Sequence, residues 1–211
     1  MKVSVSILSS SIKASDITKK LDMSLADYIH LDIMDGKFVE NKTWTFSEVK
    51  KIISYSNLPL DVHLMVKDPL KYLEDYALLN TSYFTFHYEA VSDISKTINK
   101  IKDYGLKVGV SICPDTSIDV LFPYLKDIDQ VLVMSVVPGK SGQSFIDSSL
   151  SKIRDLKAEI EKNNYKTIIS VDGGINNETG VLCKESGADM LVSASYIHKD
   201  IINNVKILKE I

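Results

Sequence analysis

The stretch that decides the fold is Tyr28-Ile29-His30-Leu31-Asp32-Ile33, which leads into a glycine-containing loop at residues 34–41. Side chains of a β-strand alternate between two faces, so isoleucine and leucine would form one face of this strand, and His30 and Asp32 the other. Burying a carboxylate is costly unless a cation or hydrogen-bond donors meet it. The stretch therefore predicts a strand whose polar face has a binding partner.

Similar β-rich runs recur about every 20 to 30 residues, with amphipathic segments between them. The predicted strands are residues 3–8, 28–33, 60–65, 83–87, 107–112, 130–134, 167–171 and 190–192. Residues 68–79 and 149–163 have apolar side chains at helical spacing. Gly105 and Gly187 fit the position that follows the end of a helix.

Strict alternation of strand and helix predicts parallel strands with right-handed crossovers, in a doubly wound sheet or a closed barrel. Eight units favour an α/β fold, a (β/α)8 TIM barrel, with residues 1–211 forming one domain. The first strand leads into Ser9-Ser10-Ser11 and not into the GxGxxG of a dinucleotide site. In a barrel, functional side chains gather at the carboxyl ends of the strands.

Composition excludes several classes of protein. A chain of 211 residues that is 45% hydrophobic can bury a full core, and a net charge of −3 argues against a nucleic-acid surface. No apolar run is long enough for a membrane span or a signal peptide, so a cytoplasmic location is the expectation. Cys113 and Cys183 form no metal-binding or disulfide pattern, and both are predicted to be small buried hydrophobic residues.

Polar side chains fall at the ends of several predicted strands. Two imidazoles and two carboxylates from strands two, three and seven would form an N2O2 site for one divalent metal ion, Zn, Fe(II), Mn or Co. The ligands would be His30, Asp32, His63 and Asp172. Any one of these histidines alone would more often be an ordinary hydrogen-bonded residue, but four such positions on one rim favour a metal. His87 keeps a structural or supporting role, paired with Glu89.

Two glycine-bearing loops follow strands six and seven, at residues 138–145 and 172–176. Glycine lets backbone N–H groups approach an anion, and barrel phosphate sites use the last loops of the fold. One such loop is more often a tight turn, but two at adjacent positions favour a phosphate site, which residues 193–195 would complete. Asp35, beside this rim, is predicted to cap loop amides.

Met34, Met65 and Met134 stand at the ends of strands two, three and six. Methionine commonly fills irregular cavities. The three side chains would equally suit an apolar lid that keeps water away from a reactive intermediate. Both interpretations stay open at the level of sequence.

In four segments the sequence resembles the ribulose-phosphate 3-epimerase family. They are His30-Leu31-Asp32-Ile33-Met34-Asp35-Gly36-Lys37-Phe38-Val39-Glu40-Asn41, Asp61-Val62-His63-Leu64-Met65-Val66, Val133-Met134-Ser135-Val136-Val137-Pro138-Gly139 and Val171-Asp172-Gly173-Gly174-Ile175. The resemblance implies a (β/α)8 isomerase of the pentose phosphate pathway that interconverts D-ribulose 5-phosphate and D-xylulose 5-phosphate. The family reaction is a two-base proton transfer at C3 through a cis-enediolate.

Matching positions imply the site residues. The metal ligands would be the four residues already named, with Asp32 and Asp172 also acting as acid and base from opposite sides of the barrel. The implied substrate-binding residues are Ser6, His63, Met34, Met65, Met134, Gly139, Ser141, Gly142, Gln143, Gly173, Gly174, Ala194 and Ser195. The implied partner is a phosphorylated ketose, and a homo-oligomer is compatible with the sequence.

Several positions depart from the family pattern. Residues 137–143 read Val-Pro-Gly-Lys-Ser-Gly-Gln where the family usually has Asn-Pro-Gly-Phe-Gly-Gly-Gln, Ala194 replaces a glycine, and Glu40 and Val5 replace prolines. These changes bear on phosphate affinity and substrate identity and leave the acid, base and metal positions intact. Two alternatives therefore remain: a hexulose-phosphate (allulose 6-phosphate) 3-epimerase, and a barrel that binds a phosphosugar without turnover.

Overall fold

A computed structural model describes residues 1–8 and 12–211 of the chain, so Ser9-Ser10-Ser11 lies outside the described residues. The described strands are β1 Lys2–Ser6, β2 Tyr28–Met34, β3 Leu60–Met65, β4 Thr81–His87, β5 Lys107–Ile112, β6 Gln130–Met134, β7 Ile168–Asp172 and β8 Met190–Ser193. Each strand pairs in parallel with its neighbours in chain order, and β8 pairs with β1, which closes the sheet. The predicted α/β fold, a (β/α)8 barrel, is confirmed.

Helices connect the strands around the outside of the barrel. Over the described residues the α-helices are α1 Ala14–Leu21, α2 Phe46–Ile53, α3 Leu73–Ala77, α4 Ile94–Asp103, α5 Ser149–Lys162, α6 Asn177–Glu185 and α7 Ile201–Glu210. The predicted helix at 68–79 is divided into a 3₁₀ segment, Pro69–Tyr72, and the short α3. A 3₁₀ segment, Ile118–Asp127, joins β5 to β6, and Pro123 within it lacks the N–H that an α-helix would use.

Local sequence explains where individual helices begin and end. Thr45 caps α2 and exchanges hydrogen bonds with Glu48, and Asn176 caps α6 in the same reciprocal way. Gly105 and Gly187 follow α4 and α6 with φ values of +73° and +110°, a region that favours glycine. The helix ends predicted at these two glycines are confirmed.

The alternation within β2 divides its side chains between two environments. Ile29, Leu31 and Ile33 are at most 1% exposed and belong to the main hydrophobic core. The other face of β2 points into the barrel, where Tyr28 packs edge-on against Tyr83 near the amino ends of the strands. The interior of the barrel therefore changes from apolar near the amino ends of the strands to polar near their carboxyl ends.

The two cysteines are both free but differ in environment. Cys183 is buried, as predicted, whereas Cys113 is only partly buried, so the prediction for Cys113 was wrong in part. The loop after β5 carries Cys113 to within 3.7 Å of His87 Nδ1, at the edge of the polar interior. Among the helices of the described residues, none combines the length and apolar character needed to cross a membrane.

Candidate active site

The polar face of β2 meets His63 of the neighbouring strand at the top of the barrel. Asp32 is in register with His63 across the β2–β3 pair, which brings their side chains together. Asp32 Oδ1 lies 3.4 Å from His30 Nε2 and 3.2 Å from His63 Nδ1. Asp172, the last residue of β7, places its Oδ2 atom 3.9 Å from His30 Nε2 and 3.8 Å from His63 Nδ1.

These four side chains fit a divalent cation. The four donor–donor distances, from 3.2 to 3.9 Å, bracket the edge of a tetrahedron with metal–ligand bonds of about 2.0–2.2 Å, which is about 3.3–3.6 Å. His30 Nε2 is buried and has no hydrogen-bond partner in the described part of the chain. An unpartnered nitrogen that faces two carboxylates is the arrangement expected of a metal ligand.

Asp32 and Asp172 approach this cluster from different strands. By the shorter path round the barrel, β1 and β8 lie between β2 and β7, so the two strands are three positions apart, one fewer than strictly opposite strands of an eight-stranded barrel. Ligand atoms of the two carboxyl groups nevertheless lie within 4.8 Å of each other. Both carboxyl groups therefore face the same small volume, from two directions.

The two carboxyl groups have very different proton affinities. Burial, and then the negative charge of Asp32, raise the pKa of Asp172 to about 7. Burial also acts on Asp32, but His30 and His63 outweigh it and hold the pKa of Asp32 far below its usual value. In this arrangement Asp32 is ionised, whereas Asp172 can hold a proton near neutral pH.

Sequence reasoning missed one buried carboxylate that orients His30. His30 Nδ1 donates to Asp61 Oδ2 at 2.8 Å, and Asp61 also accepts hydrogen bonds from Ser4 Oγ at 2.9 Å and Gln130 Nε2 at 3.1 Å. When His30 is neutral with its proton on Nδ1, the lone pair of Nε2 is available to a cation in the cluster. The available signal was spacing, since Asp61 stands two residues before His63 and so shares its face of β3.

His87 lies next to the cluster, at the end of β4. Its Nε2 atom is 2.8 Å from His63 Nε2, and its Nδ1 atom is 3.4 Å from Glu89 Oε2. The predicted pairing of His87 with Glu89 is confirmed. Complete burial of the ring lowers the pKa of His87 to about 4, so the imidazole is neutral.

Hydrogen bonds of Ser6 and His198 connect the end of β1 to the cluster. Ser6 Oγ donates to Asp32 Oδ2 at 2.7 Å and accepts from the backbone N–H of Leu8. His198 Nε2 donates to the backbone oxygen of Ser6 at 2.8 Å, which agrees with its place outside the predicted ligand set. The Ser6 hydroxyl is therefore a direct partner of one of the two carboxylates.

One pocket opens above the cluster, and its lining includes most of the residues selected from sequence. It contains Asp32 and Asp172, while His30 and His63 lie buried beneath it. Of the predicted substrate-binding residues, the pocket is lined by Ser6, Met34, Met65, Met134, Gly139, Ser141, Gly142, Gln143, Gly173, Gly174, Ala194 and Ser195. The three methionines are 2–3% exposed and form an apolar part of its wall.

The loop after β7 is packed so closely that it requires glycine. Gly173 and Gly174 have φ values of +118° and +64°. A Cβ atom on Gly173 would lie 2.5 Å from a methyl group of Val136, and one on Gly174 would lie 2.6 Å from the backbone nitrogen of Phe145. The loops after β6 and β7 therefore pack against each other at one side of the pocket.

The loop after β6 is stabilised by hydrogen bonds within the loop and by one from the loop after β2. Gln143 Nε2 donates to the backbone oxygens of Val137 at 2.6 Å and Lys140 at 2.8 Å. Asn41 Nδ2, from the loop after β2, donates to the backbone oxygen of Gly139 at 2.8 Å. The amide nitrogen of Gln143 thus supports the loop that lines the pocket.

Asp35 organises the loop after β2. Its Oδ1 atom accepts from the backbone N–H groups of Lys37 at 2.8 Å and Phe38 at 3.0 Å, and its Oδ2 atom accepts from that of Lys67 at 2.9 Å. Asp35 also forms an isolated antiparallel bridge with Lys42, which closes the loop into a small hairpin. The predicted capping role of Asp35 is confirmed.

Comparison with known proteins identifies similar sequences over nearly the whole chain. The family model described as "Ribulose-phosphate 3 epimerase family" matches residues 2–198. The ribulose-phosphate 3-epimerase of Bacillus subtilis (strain 168) is 40% identical over 200 residues, covering 94% of this chain and 92% of that protein. The Methanocaldococcus jannaschii ribulose-phosphate 3-epimerase is 41% identical over 213 residues, covering 100% and 90%.

Solved structures share the fold at much lower identity. KGPDC from Streptococcus mutans has a TM-score of 0.70 at 16% identity, covering 99% of this chain and 95% of that chain. N-(5'-phosphoribosyl)anthranilate isomerase from Pyrococcus furiosus has a TM-score of 0.62 at 18% identity, covering 100% and 96%. The family match and the two epimerases establish that this chain belongs to the ribulose-phosphate 3-epimerase family and is an epimerase that acts on carbohydrates.

Proposed function

We propose that this epimerase interconverts D-ribulose 5-phosphate and D-xylulose 5-phosphate by moving a proton at C3 between two carboxyl groups. The observation that carries the proposal is the pair Asp32 and Asp172, which reach one cluster from β2 and β7. Inversion at a carbon requires a base on one face and an acid on the other. In the absence of a cation, the pKa of Asp172 lies well above that of Asp32, and a pair with such different proton affinities suits that task.

A divalent cation, Zn, Fe(II), Mn or Co, would be held by His30, Asp32, His63 and Asp172. The support is the distances among their donor atoms and the unpartnered Nε2 of His30. Such a cation supplies Lewis-acid stabilisation of negative charge on the oxygens next to the reacting carbon. His30 and His63 act by presenting neutral imidazole nitrogens to it.

The two aspartates exchange roles with the direction of the reaction. One carboxylate removes the C3 proton to give the cis-enediolate, and the other carboxylic acid returns a proton to the opposite face. Ser6 donates to Asp32 Oδ2 and so keeps that carboxyl group in a fixed orientation. Met34, Met65 and Met134 exclude water from this volume, which limits loss of the proton to solvent.

The phosphate group would lie against the loops after β6, β7 and β8. Gly173 and Gly174 bring backbone close to the pocket, as a phosphate site requires. Lys140, Ser141 and Ala194 are the pocket positions at which this chain differs from the family pattern. They make a phosphorylated hexulose the second candidate substrate, and allulose 6-phosphate its test compound.

Two variants test the two-base mechanism. Asp32→Asn and Asp172→Asn should each lower epimerisation at least about 100-fold, because each removes proton transfer on one face. In D2O, each variant should still exchange the C3 hydrogen of one epimer, and the two variants should act on opposite epimers. The measurement is 1H NMR of each separate epimer, with metal content determined for every sample.

Asp129→Asn is the matched control, since Asp129 caps the amino end of β5 at the other end of the barrel and should leave turnover unchanged. Substantial epimerisation by Asp32→Asn or Asp172→Asn would refute the two-base assignment. Turnover of ribulose 5-phosphate beside allulose 6-phosphate identifies the substrate. Absence of C3 exchange with both compounds would instead indicate a barrel that binds phosphosugars without turnover.

A further inference from the structure

We propose that Glu89 and His87 are positioning residues that fix the proton on the ring of His63, so that His63 Nδ1 is free to bind the cation. The proposal rests on the metal site described above and extends it to two residues that touch neither the cation nor the pocket. Its content is a direction of hydrogen bonding, from His63 through His87 to Glu89.

The side chains of His63, His87 and Glu89 form a continuous series of contacts that leads away from the metal cluster. His63 Nε2 and His87 Nε2 are 2.8 Å apart, and both rings are completely buried. On the far side, His87 Nδ1 lies 3.4 Å from Glu89 Oε2. The ring of Phe38 packs against the ring of His87, with 4.7 Å between the two ring centroids.

Counting protons gives this series of contacts a direction. A neutral imidazole has one N–H, so a His63 ring that binds a cation through Nδ1 carries its proton on Nε2. That N–H faces His87 Nε2, which must then be the acceptor. His87 consequently carries its own proton on Nδ1 and donates it toward Glu89.

The surroundings of Glu89 favour its role as a hydrogen-bond acceptor. Its Oε1 atom accepts from the backbone N–H of Cys113 at 2.8 Å and from the hydroxyl of Thr116. An ionised carboxylate has no proton to give, so the Nδ1 atom of His87 is held as the donor. Asp32 Oδ1, 3.2 Å from His63 Nδ1, favours the reverse order when no cation is bound, and Glu89 opposes it.

His87, Glu89 and Cys113 could also be considered a second metal site, since one ligand atom from each lies within 4.8 Å of the others. Proton counting argues against this when His63 binds a cation. A metal on His87 Nδ1, with His87 Nε2 accepting from His63, would leave the His87 ring with no proton at all. A hydrogen-bonded relay from His63 through His87 to Glu89 is therefore the interpretation compatible with a cation bound to His30, Asp32, His63 and Asp172, the main site.

Glu89→Gln tests the relay because it replaces an acceptor with a group that has an N–H. Whichever way the new amide turns, its NH2 meets either His87 Nδ1 or the N–H of Cys113, so the hydrogen-bonding order is broken. We expect Zn²⁺ affinity, measured by chelator competition on the full chain, to fall about 10- to 100-fold. Cys113→Ala, the matched control, removes the thiol without adding a hydrogen-bonding group beside His87 Nδ1 and should bind Zn²⁺ as tightly as the wild type.

A spectroscopic readout needs no variant. Long-range 1H–15N spectra of the Zn²⁺-loaded wild type should show His87 with its proton on Nδ1 and His63 with its proton on Nε2. In metal-free Glu89→Gln, where Asp32 favours the His63 proton on Nδ1, the proton of His87 should move to Nε2. A wild-type His87 with its proton on Nε2, or unchanged Zn²⁺ affinity in Glu89→Gln, would overturn the proposal.

The outcomes separate this proposal from the metal site on which it rests. If His63→Asn leaves Zn²⁺ affinity unchanged, the main site itself is wrong, whatever Glu89→Gln does. If His63→Asn loses the ion while Glu89→Gln keeps it, the site stands and the relay fails. Loss of Zn²⁺ affinity in Cys113→Ala would place the ion on His87, Glu89 and Cys113 and would also overturn the relay.

Discussion

Replacing Asp61 by asparagine should weaken the binding of a cation without unfolding the barrel. Asp61 is fully buried, and its carboxylate holds the proton of His30 on Nδ1. Asn is nearly isosteric but carries no charge, so the Nε2 lone pair of His30 becomes a poorer ligand. Ser4 and Gln130 complete the hydrogen bonds of Asp61 and remain available to an amide.

The size of the effect follows from these contacts. Loss of a carboxylate that orients a metal-binding histidine costs about 10- to 100-fold in affinity, or about 1.4–2.7 kcal/mol of binding free energy. Gln130 Oε1 is buried and has no partner within the described residues, so the Gln130 amide can turn over and accept from the new NH2 group. This local adjustment is the reason to expect a folded variant.

Chelator competition with Zn²⁺ measures the Kd of wild type, Asp61→Asn and Ser4→Ala. The Ser4→Ala control removes one hydrogen bond to the carboxylate but leaves its charge, so its loss should be much smaller than that of Asp61→Asn. Circular dichroism reports whether each variant is folded. A folded Asp61→Asn protein with wild-type Kd would show that this carboxylate does not control the ligand strength of His30.

Two further predictions concern the loops around the pocket. Gly174→Ala should lower stability by about 1–3 kcal/mol and the melting temperature accordingly, because its Cβ would lie 2.6 Å from the backbone nitrogen of Phe145 at a φ of +64°; a calorimetric scan matching wild type would contradict this. Although partial burial acts to raise it, the backbone N–H groups of Lys67, Phe38 and Lys37 lower the pKa of Asp35. The stabilisation by ionised Asp35 is therefore present above the unfolded pKa of about 4 and is lost as pH falls through the pKa of the folded state. Asp35→Asn should lower the free energy of unfolding by about 1 kcal/mol at pH 7, and urea titrations at acidic pH should show no difference from wild type.

Sequence periodicity predicted much of the barrel because strand alternation is a local property. His30 and Asp32 could be placed on one face from their spacing alone, and the register with β3 then brought His63 beside Asp32. The 3₁₀ segment between β5 and β6 was harder to predict, because Pro123 breaks a pattern that otherwise resembles a connecting helix. Local patterns thus gave the strands more accurately than the connections.

Long-range contacts within the site could not be read in the same way. The barrel model predicted that Asp172 would reach the rim, but its approach from β7, with only β8 and β1 between that strand and β2, depends on closure of the sheet. The alignment of His63, His87 and Glu89 depends on side-chain directions across β3 and β4, which a sequence does not specify. The pairing of buried side chains across neighbouring strands is therefore the information that the structure adds.

The hairpin formed by residues 35–42 has a consequence for the thermodynamics of substrate binding. Asp35 fixes its start, its bridge to Lys42 closes it, and Asn41 ties it to Gly139 across the barrel mouth. Ordering a flexible segment costs about 1–2 kcal/mol of conformational entropy per residue. Because this segment is ordered when the chain folds, a ligand that binds in the neighbouring pocket, which Gly139 lines, does not have to supply that free energy.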